Sequence, residues 1–149
     1  MLIEIKKEIE MTKQEALARF LATNKENFKK LNYDHYDLEV YSLGNKEYAI
    51  GTDKEADKAC TENIKDSLWA FNASFIAEHT KTGYTPELEK SISKIQEQCE
   101  GAQAAIECMI EDIDEFIKDA ISADGRGHFL SGYDGEENKE GDYYIYRVN

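Results

Sequence analysis

The densest run of chemically active side chains lies between residues 107 and 119. Glu107, Glu111, Asp112, Asp114, Glu115 and Asp119 all fall off an apolar stripe there, with Lys118 the one opposing charge close by. On a helix rising about 1.5 Å per residue, carboxylates four positions apart stand roughly 6 Å from one another. That spacing is comparable with neighbouring phosphates along a nucleic-acid strand. Like charges so placed destabilise a helix by about a few tenths of a kcal/mol per pair. The pattern therefore points to a phosphate-imitating surface that occupies a basic groove. An ordinary solvated helix face is the competing reading.

A second acidic set lies in the stretch Asp134, Glu136, Glu137, Glu140 and Asp142, where Gly135 and Gly141 have the character of turn residues. Oxygen ligands of this kind suit a hard cation, but the alternating Asp/Asn series of an EF-hand loop, closed by its terminal Glu, is missing. A second acidic contact patch, or a solvated loop, fits better. A third set is Asp124, Arg126 and His128, interleaved with Gly125 and Gly127 and followed by Asp134. Histidine titrates near neutrality, so this segment offers an anion pocket or an acid–base pair; a helix cap and turn is its plainer reading. His35, His79 and His128 lack metal-ligand spacing, and neither a phosphate-binding glycine loop nor a nucleophile elbow is present. No catalytic residue, metal or cofactor is expected.

The formal charge of −13 limits the partners. It repels nucleic acid and anionic membrane surfaces, which attract basic proteins, and favours a basic protein partner. Nine Tyr, six Phe and one Trp argue against disorder. The 149 residues suit one domain spanning 1–149. Cys60, Cys99 and Cys108 form no C-x-x-C pair. They read as structural thiols of a reducing compartment, with Cys60 and Cys108 among apolar helical positions. No stretch nears the roughly 18 apolar residues of a membrane span, and residues 1–11 mix acids and lysines unlike a signal peptide. A cytoplasmic location is expected.

The elements that must position these groups follow from local signals. Residues 1–10 alternate apolar and charged, as a short strand or a frayed helix would. Thr12 and Glu15 form a capping box that opens a helix with Leu17, Phe20 and Leu21 on one face. Residues 24–34 read as a polar connection anchored by Phe28, Leu31 and Tyr33. Two β-type runs, 36–43 and 47–51, flank Gly44 and Asn45 and predict a tight hairpin. Thr52 and Glu55 form a second capping box, opening a long helix to about His79 through Ile64, Leu68, Phe71 and Phe75. Thr85 and Pro86 begin a third helix, which breaks near Gly101 and resumes over 104–121. Its stripe is Ile106, Met109, Ile110, Ile113, Phe116, Ile117, Ala120 and Ile121. Gly125 caps it in a left-handed conformation. Residues 128–130 read as a strand, 131–142 as a loop, and 143–148 as a final strand whose Tyr143, Tyr144 and Tyr146 build core. The class is α+β: three or four helices packed on a short antiparallel sheet with a hairpin and a C-terminal strand.

The stretch ISADGRGHFLSGYDGEENKEGDYYIYRVN, and more loosely SLWAFNASFIAEHT, resembles small acidic proteins encoded by bacteriophages and related mobile elements. Small acidic phage proteins at large include anti-restriction and anti-CRISPR proteins that imitate DNA. The resemblance implies a host-cell context and assigns no catalytic residue. The charge of −13, the one-sided acidic helix and the lack of catalytic motifs lead to the expectation of an inhibitor of a defence nuclease or CRISPR effector. Two other classes compete. One is a homo-oligomeric accessory protein, such as a homodimer, whose apolar helix stripe pairs with its copy. The other is a small enzyme or ligand-binding protein using Asp124, Arg126, His128 and Asp134.

Overall fold

The computed structural model describes residues 10–149, so the alternating N-terminal pattern lies outside the described residues apart from Glu10. The helices among them are α1 (Lys13–Phe20), α2 (Asp53–Asp66), α3 (Ala73–Glu78), α4 (Pro86–Gln96), α5 (Gln103–Met109), α6 (Ile113–Asp124) and α7 (Arg126–Leu130). The strands are β1 (Lys29–His35), β2 (Leu38–Leu43), β3 (Lys46–Thr52), β4 (Asn138–Glu140) and β5 (Tyr143–Arg147). They form one antiparallel sheet in the order β1-β2-β3-β5-β4, so the class is α+β. The chain divides into two compact units: the described residues up to Cys60 with Arg126–Asn149, and Thr61–Gly125.

The first unit is the sheet with its flanking helices. Tyr41, Tyr48, Ile50 and Ile145 share one sheet face by register and pack with Ala16, Leu17 and Ala18 of α1 and with Phe28. Alternation places Val40, Ala49 and Tyr146 on the opposite face, and these are buried too. Both capping boxes form: Glu15 N–H donates to Thr12 Oγ1 and Glu55 N–H to Thr52 Oγ1, each answered by the glutamate carboxylate. Gly44 takes φ 63°, as the first residue of the two-residue turn requires.

The connection expected over 24–34 is instead a 3-10 turn (Lys25–Asn27) and the edge strand β1. Phe28 is buried as expected, but Tyr33 is exposed. A second hairpin joins β1 to β2 through Tyr36 and Asp37, both at positive φ (50° and 69°). The strand expected at 128–130 is the helix α7; Gly125 does take positive φ (82°), but only α6 ends there and α7 starts at the next residue. Part of the expected 131–142 loop is the edge strand β4.

The helix α1 ends with Ala22 at φ 52°, after which Thr23 N–H donates back to Ala18 O (2.9 Å). An L side chain in that conformation is strained by about 1–2 kcal/mol, and Ala22 is exposed, so its methyl buries nothing. Ala22→Gly should therefore raise stability by about 0.5–1 kcal/mol, after the extra unfolded-state freedom of glycine is subtracted. Urea denaturation checks the sign: a lower midpoint would mean that this turn is not strained.

The second unit is helical. The long helix expected to reach His79 is interrupted after Asp66 by a 3-10 turn, Leu68–Ala70. Ser67 Oγ donates to Asn63 O (2.7 Å), a side-chain competition that loosens helices. Two glutamines then hold the interrupted backbone. Gln96 Nε2 donates to Trp69 O (2.9 Å) and Phe71 O, while Gln103 Oε1 accepts from Trp69 N–H (3.2 Å). The helix after Thr85 and Pro86 forms as expected, and a 3-10 turn spans Gly101 (Cys99–Ala102). Phe71, Phe75 and Phe116 form a ring cluster with centroids 4.9–5.7 Å apart.

Candidate functional site

The acidic face expected on one helix over 104–121 is divided between α5 and α6. Asp112 causes the division. Its carboxylate accepts from the backbone N–H groups of Asp114 (3.1 Å) and Glu115 (3.2 Å), so it caps α6 rather than continuing α5. Ile110 is extended and bridges Thr80, and Glu111 N–H donates to His79 O (3.0 Å).

This kink turns part of the acidic run into a concavity. Glu78, His79, Thr80, Glu111, Asp112, Ile113, Glu115 and Asp119 line an open cleft of about 830 Å³. Five of these residues are carboxylates, and neither lysine nor arginine is among them. Four of the six residues expected as an acidic helix face therefore converge here: Glu111, Asp112, Glu115 and Asp119. Glu107 lies on α5 and Asp114 in the first turn of α6; both are exposed and neither lines the cleft.

Sequence reasoning missed two members of the wall, Glu78 and His79. His79 is the one lining residue that can carry a positive charge. Its Nδ1 lies 2.8 Å from Phe75 O and its Nε2 2.8 Å from Asp119 Oδ2. The ring rests against Phe75 and Phe116, with centroids 4.6 and 5.0 Å away. Burial draws its pKa down, but the Phe75 carbonyl and the Asp119 carboxylate outweigh that, and the net shift is upward. No sequence signal pairs positions 40 residues apart.

The second acidic set belongs to the first unit, and two of its five carboxylates, Asp134 and Glu137, are engaged within the fold. Asp134 Oδ1 accepts from Ser131 Oγ (2.8 Å) and Glu136 N–H (3.0 Å), closing a turn. Glu137 is tied to Arg126 (2.8 Å) and to the Tyr146 hydroxyl, so it is not an open contact group. Burial and the Glu137 carboxylate both push the Tyr146 pKa up. Glu140 pairs with Tyr143 in the β4–β5 ladder, and Glu136 is exposed.

Of the residues expected to form a pocket, Arg126, His128 and Asp134 each have other partners. Arg126 Nη1 donates to Asp53 Oδ1 and Asp57 Oδ1 (both 2.9 Å), Nε donates to Glu137, and the guanidinium lies 4.6 Å from the Tyr144 ring centroid. Asp134 is engaged with Ser131, and His128 is exposed with its ring against Phe129. Among the described residues no cluster of His, Cys, Asp or Glu could hold a metal ion, and no helix is long and apolar enough to cross a membrane. Cys60 is buried, which pushes its thiol up to about 12; Cys108 is exposed, not packed as expected, and so is Cys99. Compared with protein-family models, curated proteins and solved structures, the chain matches none of them.

Proposed function

We propose that the chain is a protein-binding module that engages a basic partner surface through the cleft between α3 and the α5–α6 junction. The observation that carries this reading is the cleft wall itself, with its five carboxylates and no lysine or arginine, in a chain of charge −13. A concave acidic wall accommodates the arginine or lysine side chains of a partner, and surfaces rich in those residues commonly bind nucleic acid. With the bacteriophage resemblance of the C-terminal stretch as context, the partner we propose is a nucleic-acid-binding defence protein, a nuclease or CRISPR effector, inhibited by occupation of its basic groove.

A labelled oligo-arginine peptide tests the cleft directly by fluorescence anisotropy. Binding is expected at low salt and should fade near 0.5 M, where screening shortens to about 4 Å. Glu111→Lys, Asp112→Asn and Glu115→Lys together should weaken it at least tenfold, about 1.4 kcal/mol. Asparagine is chosen at 112 because it retains the helix cap. Glu62→Lys, Asp66→Asn and Glu100→Lys make the same charge change at exposed positions outside the cleft. Equal weakening by both triples would reduce the effect to net charge and sink the cleft as a site.

A further inference from the structure

We propose that His79 is held as an imidazolium that latches the end of α3 to α6, giving the second unit a pH-sensitive joint in the wall of its acidic cleft. The argument rests on donors and acceptors. Nδ1 faces the Phe75 carbonyl at 2.8 Å, and a carbonyl only accepts, so that nitrogen carries a proton. Nε2 faces Asp119 Oδ2 at 2.8 Å, and an ionised carboxylate also only accepts. Neutral imidazole has one N–H and satisfies one of the two contacts. The Asp119 side chain is 48% exposed, so water solvates its ionised form, whereas the His79 side chain is 11% exposed. The second proton therefore sits on the ring.

The surroundings favour that charge. The rings of Phe75 and Phe116 flank the imidazole. His79 is the C-cap of α3, where unpaired carbonyls present partial negative charge. Asp119 of α6 and Glu78 of α3 act on the ring, and both raise its pKa. Glu111 and Asp112 from the α5–α6 junction and Glu115 of α6 share the cleft wall. The helix α4, which also packs on α3, directs Glu89 to the Tyr84 hydroxyl (3.1 Å). Of these carboxylates, Asp119 alone accepts a hydrogen bond from the ring.

The sign of the pH dependence follows. A histidine whose folded pKa is raised stabilises the fold fully below its ordinary value, about 6.5. That contribution is lost as pH rises through the raised value. Deprotonation at Nε2 leaves a lone pair facing the Asp119 carboxylate, so the α3–α6 contact turns from attractive to repulsive. The adjoining Glu111 N–H to His79 O bond and the Thr80–Ile110 bridge carry the loosening to the α5–α6 junction. The cleft then bears one more net negative charge.

Long-range ¹H–¹⁵N NMR of the histidine rings from pH 5 to 10 tests the latch without any binding partner. At neutral pH His79 should show two protonated ring nitrogens and should titrate above free histidine. His35 is an internal contrast: burial lowers its pKa, and its Nε2 contacts Leu130 O (2.9 Å). Asp119→Asn should move the His79 titration down. His79→Gln should reduce Tm by about 2–4 °C at pH 6, with the difference from the parent chain closing by pH 10. One protonated nitrogen at neutral pH, an unmoved titration in Asp119→Asn, or a Tm gap that does not change with pH would each overturn the latch. Failure of oligo-arginine to bind would leave all three readouts intact.

Discussion

Replacing Arg126 with alanine should cost the fold about 2–3 kcal/mol. The side chain is 11% exposed and makes ion pairs with three carboxylates drawn from separated parts of the first unit. Asp53 and Asp57 belong to the first turns of α2, and Glu137 to the segment before β4; Arg126 Nη1 also donates to Asp53 O (3.1 Å). Burial works against the guanidinium charge, but the bonds to Glu137 and Asp53 overcome it, and its pKa moves further up. Removing one partner of a fully buried pair costs about 3–5 kcal/mol, because the other is left desolvated. Here that cost is reduced, since the Asp53 and Asp57 side chains are 68% and 63% exposed and water can replace the arginine.

Glu137 is the group left stranded. Its side chain is 30% exposed, and it keeps the Tyr146 hydroxyl while losing its counter-charge. Loss of the guanidinium over Tyr144 adds about 0.5–1 kcal/mol. Arg126→Lys should recover less than half, because a point charge on a flexible stem cannot meet Glu137 through Nε and the two aspartates through Nη1 together. Urea denaturation measures both variants. A loss below about 1 kcal/mol for alanine would mean that the three contacts contribute like exposed surface pairs.

These contacts also mark where sequence reading stops. The capping boxes at Thr12 and Thr52, the Gly44–Asn45 turn and the Thr85–Pro86 helix start were legible because each is settled within four residues. The strand β1 was not legible. It is an edge strand exposed on most positions, so no alternation of apolar and polar residues betrays it. Its turn uses Tyr36 and Asp37, and of these only aspartate is a usual left-handed residue.

The division at Asp112 did carry a local signal, since Asp112 and Glu115 have the spacing of a helix start. The unbroken apolar stripe on either side outweighed it. Half the candidate site followed from that error: the kink is what gathers Glu111, Asp112, Glu115 and Asp119 around a cleft instead of spreading them along a rod. The contributions of Glu78 and His79 depend on packing between α3 and α6. Arg126 likewise read as part of a pocket because its neighbours in sequence are Asp124 and His128. Its partners in space lie 69 and 73 residues away in α2 and 11 residues away at Glu137.

The residue beside it should be sensitive too. Gly127 is buried in α7, and a Cβ built on it would stand 2.5 Å from Gly135 O, 2.8 Å from the carbonyl carbon of Glu136 and 2.8 Å from Glu137 N. All three are main-chain atoms, so no rotamer change relieves the overlap. Gly127→Ala gains about 1 kcal/mol in helix propensity, but overpacking of this kind costs about 1–3 kcal/mol or more, and here it must displace backbone. That backbone is held by Gly135 N–H donating to Ser131 O (3.1 Å) and by Ser131 N–H donating to Gly127 O (2.8 Å). The net expectation is a loss of about 1–2 kcal/mol, at the upper end of that difference because main chain must move. Gly132→Ala, with nothing within 4 Å of its Cβ, should be nearly neutral and controls for the substitution itself.

The two sites are coupled, because the segment that Gly127→Ala pushes away carries Glu137. Moving Glu137 by about 1 Å breaks its 2.8 Å bond to Arg126, so part of what Arg126→Ala removes is already gone. The double variant should therefore lose less than the sum of the singles, by about 0.5–3 kcal/mol, the range found for residues in one network. Strict additivity in a double-mutant cycle would show that α7 tolerates the methyl by a local adjustment that leaves the Arg126–Glu137 pair in place.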